Sequence, residues 1–194
     1  MKRIFVYLII SIMAFTSFAQ TESQHLTFKG VPIDGTLNEF VQKMEQKGFE
    51  CVEIKNGKAE LKGDFAGYKG CTVYVSTLNQ NDLVSKISVR FPQCSSWEDI
   101  ENNYNDLKTM LSKKYGKPNN IVEKFTISNE PKDDKERLIA LATDECRYIT
   151  SFKTIKGDIK LQMDHIGPIR LFVVLTYTDK INSDILKAHA IEDL

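Results

Sequence analysis

The sequence lacks an excess of either charge. Its 194 residues include 26 Lys and Arg against 26 Asp and Glu. A protein that binds nucleic acid through its phosphates needs a basic excess, so this balance argues against a nucleic-acid partner. Proline (5 residues) and glycine (10 residues) are also scarce, and no tract is strongly biased, which excludes collagen-like and disordered chains. With 42% hydrophobic residues, the composition is that of one globular domain or two small ones.

Motifs for metal, phosphate and cofactor binding are missing as well. No HExxH, CxxC or calcium-loop pattern occurs, and the three histidines, His25, His165 and His189, are isolated in the sequence. The Gly-rich segment 63–70 is not followed by Gly-Lys-Ser/Thr and starts no helix, so it indicates a bend in a sheet. The sequence therefore predicts no cofactor, no metal and no assigned catalytic residue.

The N-terminus has the pattern of an export signal. Lys2 and Arg3 are followed by an apolar run over residues 4–15 and then by small residues at Ser17 and Ala19. The apolar run, about 12 residues, is too short to span a bilayer core of roughly 30 Å. We expect cleavage after Ala19, a periplasmic or secreted mature protein of slightly acidic charge, and no membrane span after cleavage.

Amphipathic segments predict helices with recognisable starts. Two of them begin with Ser or Thr followed three residues later by an acidic residue, as in a capping box. The predicted helices run from Thr36 to Gly48, from Ser95 or Ser96 to Gly116, and from Asn182-Ser183 to the C-terminus, with a short helix at 138–143 after an exposed loop at 128–137.

Between these helices the hydrophobic period changes to two. Asn56-Gly57, flanked by alternating apolar residues, predicts a tight hairpin. Residues 158–165 alternate apolar and polar side chains, which indicates a sheet with one solvent-facing side. Residues 169–178 are apolar on both faces, so we expect them at the centre of a sheet. The other strands are expected at 70–78, 83–91, 121–127 and 146–154.

These elements predict an α+β protein. A helix followed by four strands, twice over, would give two antiparallel sheets with helices packed on one face of each and a C-terminal helix. The predicted divisions are a signal peptide at 1–19, a first half at 20–94 and a second half at 95–194. The two halves could also form one continuous globular unit.

Four stretches of the chain resemble a family of exported proteins of unknown function from Gram-negative gut bacteria: residues 28–49, 61–75, 97–118 and 175–185. The resemblance implies a secreted or periplasmic α+β protein and brings no catalytic residues with it. At the level of topology, the predicted layout is similar to the β-lactamase inhibitor protein and to small outer-membrane assembly lipoproteins. The chain lacks the lipid-attachment cysteine of such lipoproteins.

Four cysteines in an oxidising compartment suggest disulfides. A hairpin whose turn is near residues 80–81 places Cys71 opposite residues 90–92, which brings it near Cys94. The sequence therefore favours a Cys71–Cys94 bridge and leaves Cys51 to pair with Cys146.

For the function, the sequence favours a non-catalytic binding or accessory module of the cell envelope. Its partner would be an envelope protein, a peptide or a glycan, and Phe65, Tyr68 and Tyr74 are the candidate partner surface. The alternative is a thiol-dependent or hydrolytic enzyme. It would use Cys94, which precedes a predicted helix, with His165 as its base.

Overall fold

The computed structural model describes residues 23–78, 81–127, 130–168 and 170–192. The predicted signal peptide, residues 1–19, lies outside this part of the chain. In chain order the elements are β1 (Thr27–Phe28), β2 (Val31–Pro32), α1 (Leu37–Glu45), β3 (Glu50–Lys55), β4 (Lys58–Phe65), β5 (Tyr68–Leu78), β6 (Asn81–Arg90), α2 (Trp97–Tyr115), β7 (Asn120–Phe125), α3 (Asp134–Ala142), β8 (Cys146–Thr154), β9 (Gly157–Ile166), β10 (Arg170–Asp179) and α4 (Lys180–Glu192).

The α+β class is confirmed, but the strands of the two halves form one sheet instead of two. An antiparallel sheet of eight strands has the order β3-β4-β5-β6-β10-β9-β8-β7, and β1 and β2 form a separate two-stranded ladder. The halves are joined where β6 pairs with β10, with Arg90 opposite Val174. The cause is that β10 is apolar on both faces and needs a neighbour on each side, which β9 and β6 supply. Its predicted central position is confirmed.

The local signals in the sequence account for most element boundaries. Asn56 and Gly57 have φ of 50° and 68°, as a two-residue hairpin between β3 and β4 requires. The Thr36 capping box at the start of α1 and the Ser96 cap at the start of α2 are both present. These predictions are confirmed.

Two helix boundaries differ from the prediction. Helix α3 begins at Asp134, four residues before the expected position, because the Asp133 side chain accepts a hydrogen bond from the Glu136 N–H and caps the helix. The end of the predicted exposed loop is thus the first turn of α3. Helix α4 begins at Lys180, immediately after β10, instead of at 182–183.

The hydrophobic core lies on one face of the sheet. The apolar stripes of α1 and α2 pack against the inward-facing side chains of the strands in one continuous cluster. Trp97 and Tyr104 of α2 are the largest buried side chains, and the Tyr104 hydroxyl is hydrogen-bonded to Thr150 on β8. Helix α3 lies beside α2 over β8 and β9, and α4 contacts β6, β9 and β10.

A buried carboxylate ties the segment before β1 to the start of α4. Asp179 is 0% exposed, and its oxygens accept hydrogen bonds from the backbone N–H groups of Leu26 (2.9 Å) and Asn182 (3.0 Å). The Nδ1 atom of His25 lies 3.0 Å from the same carboxylate. A buried charge is tolerated when it is hydrogen-bonded in this way, so this cluster fixes the chain segments that meet at one end of the sheet.

Asn182 extends this polar cluster into the core. Its side-chain amide nitrogen lies 2.8 Å from the Val84 carbonyl oxygen and 3.1 Å from that of Ile33, and the residue is 1% exposed. Without the amide, these buried carbonyl groups would lose a hydrogen-bond donor that water cannot easily replace.

We expect Asn182→Ala to lower the free energy of unfolding by about 2–3 kcal/mol, the cost of leaving buried carbonyl groups unpaired. Urea denaturation measures the loss. The matched control is Asn105→Ala, on the exposed side of α2, which should change stability by no more than about 0.5 kcal/mol. Equal stability of the two variants would contradict the assigned role of Asn182.

Candidate functional site

The face of the eight-stranded sheet opposite α1 and α2, called the open face below, carries the candidate site. Helix α4 borders one end of this face, where Ser183, Asp184 and Lys187 line a groove with Lys153, Asp158 and Thr178. Side chains on neighbouring strands line up in rows because the register continues across the strands. Three such rows are named after one member each. The Arg90 row contains Lys62, Thr72, Arg90, Val174, Gln162, Ile149 and Val122. The Tyr74 row contains Glu60, Tyr74, Ser88, Thr176, Lys160, Ser151 and Asn120. The Lys86 row contains Lys58, Ser76, Lys86, Thr178, Asp158 and Lys153.

A stack of three side chains occupies the centre of the open face. The Arg90 guanidinium carbon lies 5.2 Å from the centroid of the Tyr74 ring and 5.4 Å from that of the Phe172 ring. Both distances are within the range of cation–π contacts. Phe172 is only 5% exposed, although it is not part of the core cluster under the helices. Arg90 therefore covers an aromatic surface that the sheet alone would leave open to water.

Arg90 is half-buried, and its guanidinium has no acceptor among the described residues. Within the described part of the chain, no oxygen forms a hydrogen bond or ion pair with it. Asp164, directly opposite Phe172, is already bonded by the Gln162 side-chain amide and the His165 backbone N–H, each at 2.8 Å. Burial raises the pKa of the Tyr74 hydroxyl, whereas the nearby Arg90 charge lowers it.

Charge is unevenly distributed over the open face. From β5 to β7, the three rows place Lys86, Arg90, Lys153 and Lys160 around Asp158. Two further carboxylates border these rows, those of Asp164 opposite Phe172 and of Asp184 on α4. On the edge strand β3 and its neighbour β4, the acidic side chains of Glu50, Glu53 and Glu60 are balanced by Lys55, Lys58 and Lys62. The centre of the face is therefore basic, although the chain as a whole is balanced.

The structure does not bring the three predicted surface aromatics together. Phe65 and Tyr68 lie at the β4–β5 turn on the helix side, where they pack against Phe91 with ring centroids 6.2 Å and 5.0 Å away. Tyr74 alone lies on the open face. Sequence reasoning missed its two neighbours, Arg90 and Phe172, because the pairing of β6 with β10 that assembles them joins residues far apart in sequence.

The four cysteines are free thiols in the structure. The β5–β6 ladder ends with Thr72 opposite Arg90, so its register continued by one residue places Cys71 level with Phe91, within the expected range of 90–92. Beyond Phe91 the chain continues along β10, where Cys94 pairs with Leu171. Cys51 on β3 and Cys146 on β8 are six strands apart. At about 4.8 Å per strand they are separated by roughly 25–30 Å, too far for a disulfide. The expected Cys51–Cys146 bridge is incompatible with this sheet order.

Cys94 lacks the surroundings of a catalytic thiol. It is 5% exposed, and its sulfur lies 3.3 Å from the Asn103 side-chain nitrogen and 3.8 Å from the Pro92 carbonyl oxygen, neither of which is a base. Burial raises the pKa of the Cys94 thiol, and the Asn103 hydrogen bond offsets part of this effect. The thiol form, which is a poor nucleophile, is therefore favoured.

The side chain of His165, the expected base for Cys94, is hydrogen-bonded to other groups. Its Nδ1 lies 3.1 Å from the Gly167 carbonyl oxygen, and its Nε2 lies 3.3 Å from Asp144. The hydrogen bond to Gly167 and then that to Asp144 raise the pKa of His165, and burial opposes them. His165 lines the same small groove as Cys146, but burial raises the pKa of that thiol to about 12. The groove thus contains no activated thiol.

Neither a metal site nor a membrane-spanning helix is found among the described residues. No group of three or more His, Cys, Asp or Glu side chains in residues 23–78, 81–127, 130–168 and 170–192 is arranged to hold a metal ion. Over the same ranges, no helix has the length and hydrophobicity that a transmembrane helix needs.

Comparison of the chain with protein-family models, with curated proteins and with solved structures found no match. The candidate site is therefore defined by its geometry alone. The resemblance of the sequence to exported proteins of unknown function stays a prediction.

We expect thiol titration to find four free cysteines after denaturation without reductant. In the native protein at pH 8, the buried Cys71, Cys94 and Cys146 should react at least tenfold more slowly than after unfolding, because burial raises their pKa and limits access. Reaction with a chromogenic disulfide reagent measures both quantities. Fewer than four thiols in the denatured chain, or fast native modification of Cys94, would contradict the structure.

Proposed function

We propose that this protein is an exported, non-catalytic binding module that holds a partner protein on the open face of its sheet. The observation that carries the proposal is the Tyr74–Arg90–Phe172 stack at the centre of that face. Aromatic residues and arginine are the residue types enriched at the centres of protein–protein interfaces. Export itself is proposed from the N-terminal leader pattern, with the cell envelope as the place where the partner is met.

The size and chemistry of the open face suit a protein partner. Three rows across up to seven strands cover roughly 34 Å by 20 Å, which is comparable to the ~800 Å² that each partner contributes to a standard interface. The Tyr and Arg at the centre of the rows are residue types enriched at interfaces, and the Ser, Thr and Lys around them suit the polar rim of an interface. A glycan would need an exposed aromatic ring to stack on, but Arg90 lies over both Tyr74 and Phe172.

We also infer that the two halves, 20–94 and 95–194, follow one plan of a helix and four strands. Helix α1 precedes β3 to β6, and α2 precedes β7 to β10. On this interpretation, α3 is an insertion between the first two strands of the second half. The plan would give each half its own helix on the same side of the sheet and would leave the other side for binding.

The test compares two single charge reversals. Lys160→Glu changes the open face, and Lys135→Glu makes the same change at an exposed position of α3 on the helix side. The mature protein is immobilised, its partner is isolated from envelope extract, and affinity is then measured with the purified partner. We expect Lys160→Glu to weaken binding about tenfold or more, equivalent to about 1.4 kcal/mol, and Lys135→Glu to have little effect.

Two results would contradict the proposal: a purified partner that binds Lys160→Glu as tightly as the unmodified protein, or an extract from which no protein binds the immobilised chain. Thermal unfolding of both variants checks that the fold is unchanged. Retention of one protein on the column supports the proposal only when Lys160→Glu abolishes it and Lys135→Glu does not.

A further inference from the structure

Arg90 differs from two other cations that stack on core aromatic rings, Arg137 and Lys108. Arg137 lies 6.0 Å from the Trp97 ring centroid and donates a hydrogen bond to Asp134 at 3.1 Å. Lys108 lies 5.2 Å from the Tyr104 ring centroid and forms an ion pair with Glu123 at 2.7 Å. In both cases, the cation is paired with a carboxylate of this chain. Arg90 has two aromatic partners but no carboxylate among the described residues. Lys29 over Phe49 and Lys114 over Tyr115 have none there either, but each stacks on one ring and lacks the planar fork of a guanidinium.

The stack also fixes the orientation of Arg90. Because a ring lies near the guanidinium on two sides, the plane of the group is restrained, and little side-chain freedom is left to lose on binding. The guanidinium presents a fork of N–H donors whose geometry matches the two oxygens of a carboxylate. A restrained arginine with free donors is preorganised for such an acceptor.

We propose that Arg90 is the anchor for a carboxylate of an acidic segment of the partner protein. The inference rests on the proposed function, and it adds the chemistry of the partner. Lys86 lies four residues from Arg90 along β6 and on the same face, about 13 Å away. Two acidic residues four positions apart in an extended segment would reach both cations.

The basic centre is a local feature of the open face. At the β3–β4 side of the same face, Glu50, Glu53 and Glu60 are accompanied by Lys55, Lys58 and Lys62, so these six side chains carry no net charge. A short acidic segment places its charge locally and matches a basic patch of this size, whereas a nucleic acid or an anionic membrane carries charge over its whole surface.

The experiment uses the mature protein and two synthetic peptides. One peptide alternates threonine and glutamate over eight residues, and the other replaces every glutamate by glutamine. NMR titration follows the side-chain Nε–Hε signal of Arg90 and the backbone signals of β5, β6 and β10. We expect the glutamate peptide to shift the Arg90 signal and to bind at least tenfold more tightly than the glutamine peptide.

A pair of variants separates carboxylate recognition from simple charge attraction. Arg90→Lys keeps the charge but loses the planar fork, and we expect it to weaken binding of the glutamate peptide about fivefold or more. Arg137→Lys is the matched control, since it makes the same change at a stacked arginine that already has a carboxylate. It should leave the peptide affinity unchanged.

Three outcomes would overturn the proposal: equal binding of the two peptides, equal effects of Arg90→Lys and Arg137→Lys, or an Arg90 shift caused by inorganic phosphate but not by the glutamate peptide. None of these depends on the Lys160→Glu comparison. If that comparison still places the natural partner on the open face, only the carboxylate anchor is refuted. If the partner binds elsewhere, the proposed function fails, whatever the peptides do.

Discussion

Strand β10 has apolar side chains on both faces, and a strand of this kind is stable only between two neighbours. Its pairing with β6 supplies the second neighbour and merges strands of both halves into one sheet. The core under the helices depends on this pairing because α1 covers one side of the joint and α2 the other. The open face depends on it too, since Arg90 belongs to β6 and Phe172 to β10.

The helix side and the open side of the sheet differ in how their polar groups are hydrogen-bonded. On the helix side, most buried polar groups are paired within the chain, as with Asp179, Asn182 and the Tyr104–Thr150 hydrogen bond, and the Trp97 indole N–H is the buried side-chain exception among the described residues. On the open side, the half-buried Arg90 stacks on two rings and has no acceptor among the described residues, so its donors face solvent and are available to a partner. This difference is why we place the function on the open side.

Much of the fold follows from local signals in the sequence. The Asn56-Gly57 turn, the Thr36 and Ser96 caps, and the central position of residues 169–178 are all predictable because each depends on neighbouring residues or on a simple period. The start of α3 is missed because the polar segment before it resembles a loop, and only the Asp133 cap marks it. The sequence predicts two sheets instead of one because no local sequence pattern indicates that the distant strands β6 and β10 pair.

The candidate site is less predictable for the same reason. Tyr74 can be assigned to the solvent-facing side of its strand, but its stacking with Arg90 and Phe172 depends on the register between β5, β6 and β10. The cysteines show a related limit. The position of Cys71 opposite Phe91 follows from the hairpin, whereas the separation of Cys51 from Cys146 follows only from the strand order.

The strand order also affects how the chain can fold as it is made. The last strand in the sequence, β10, lies in the middle of the sheet, so β6 remains an unpaired edge until residue 179 is available. Pairings between distant segments form slowly, and exposed strand edges promote aggregation. The first half thus cannot reach its final pairing during synthesis. A chain with this topology benefits from being kept unfolded until its C-terminus has been released.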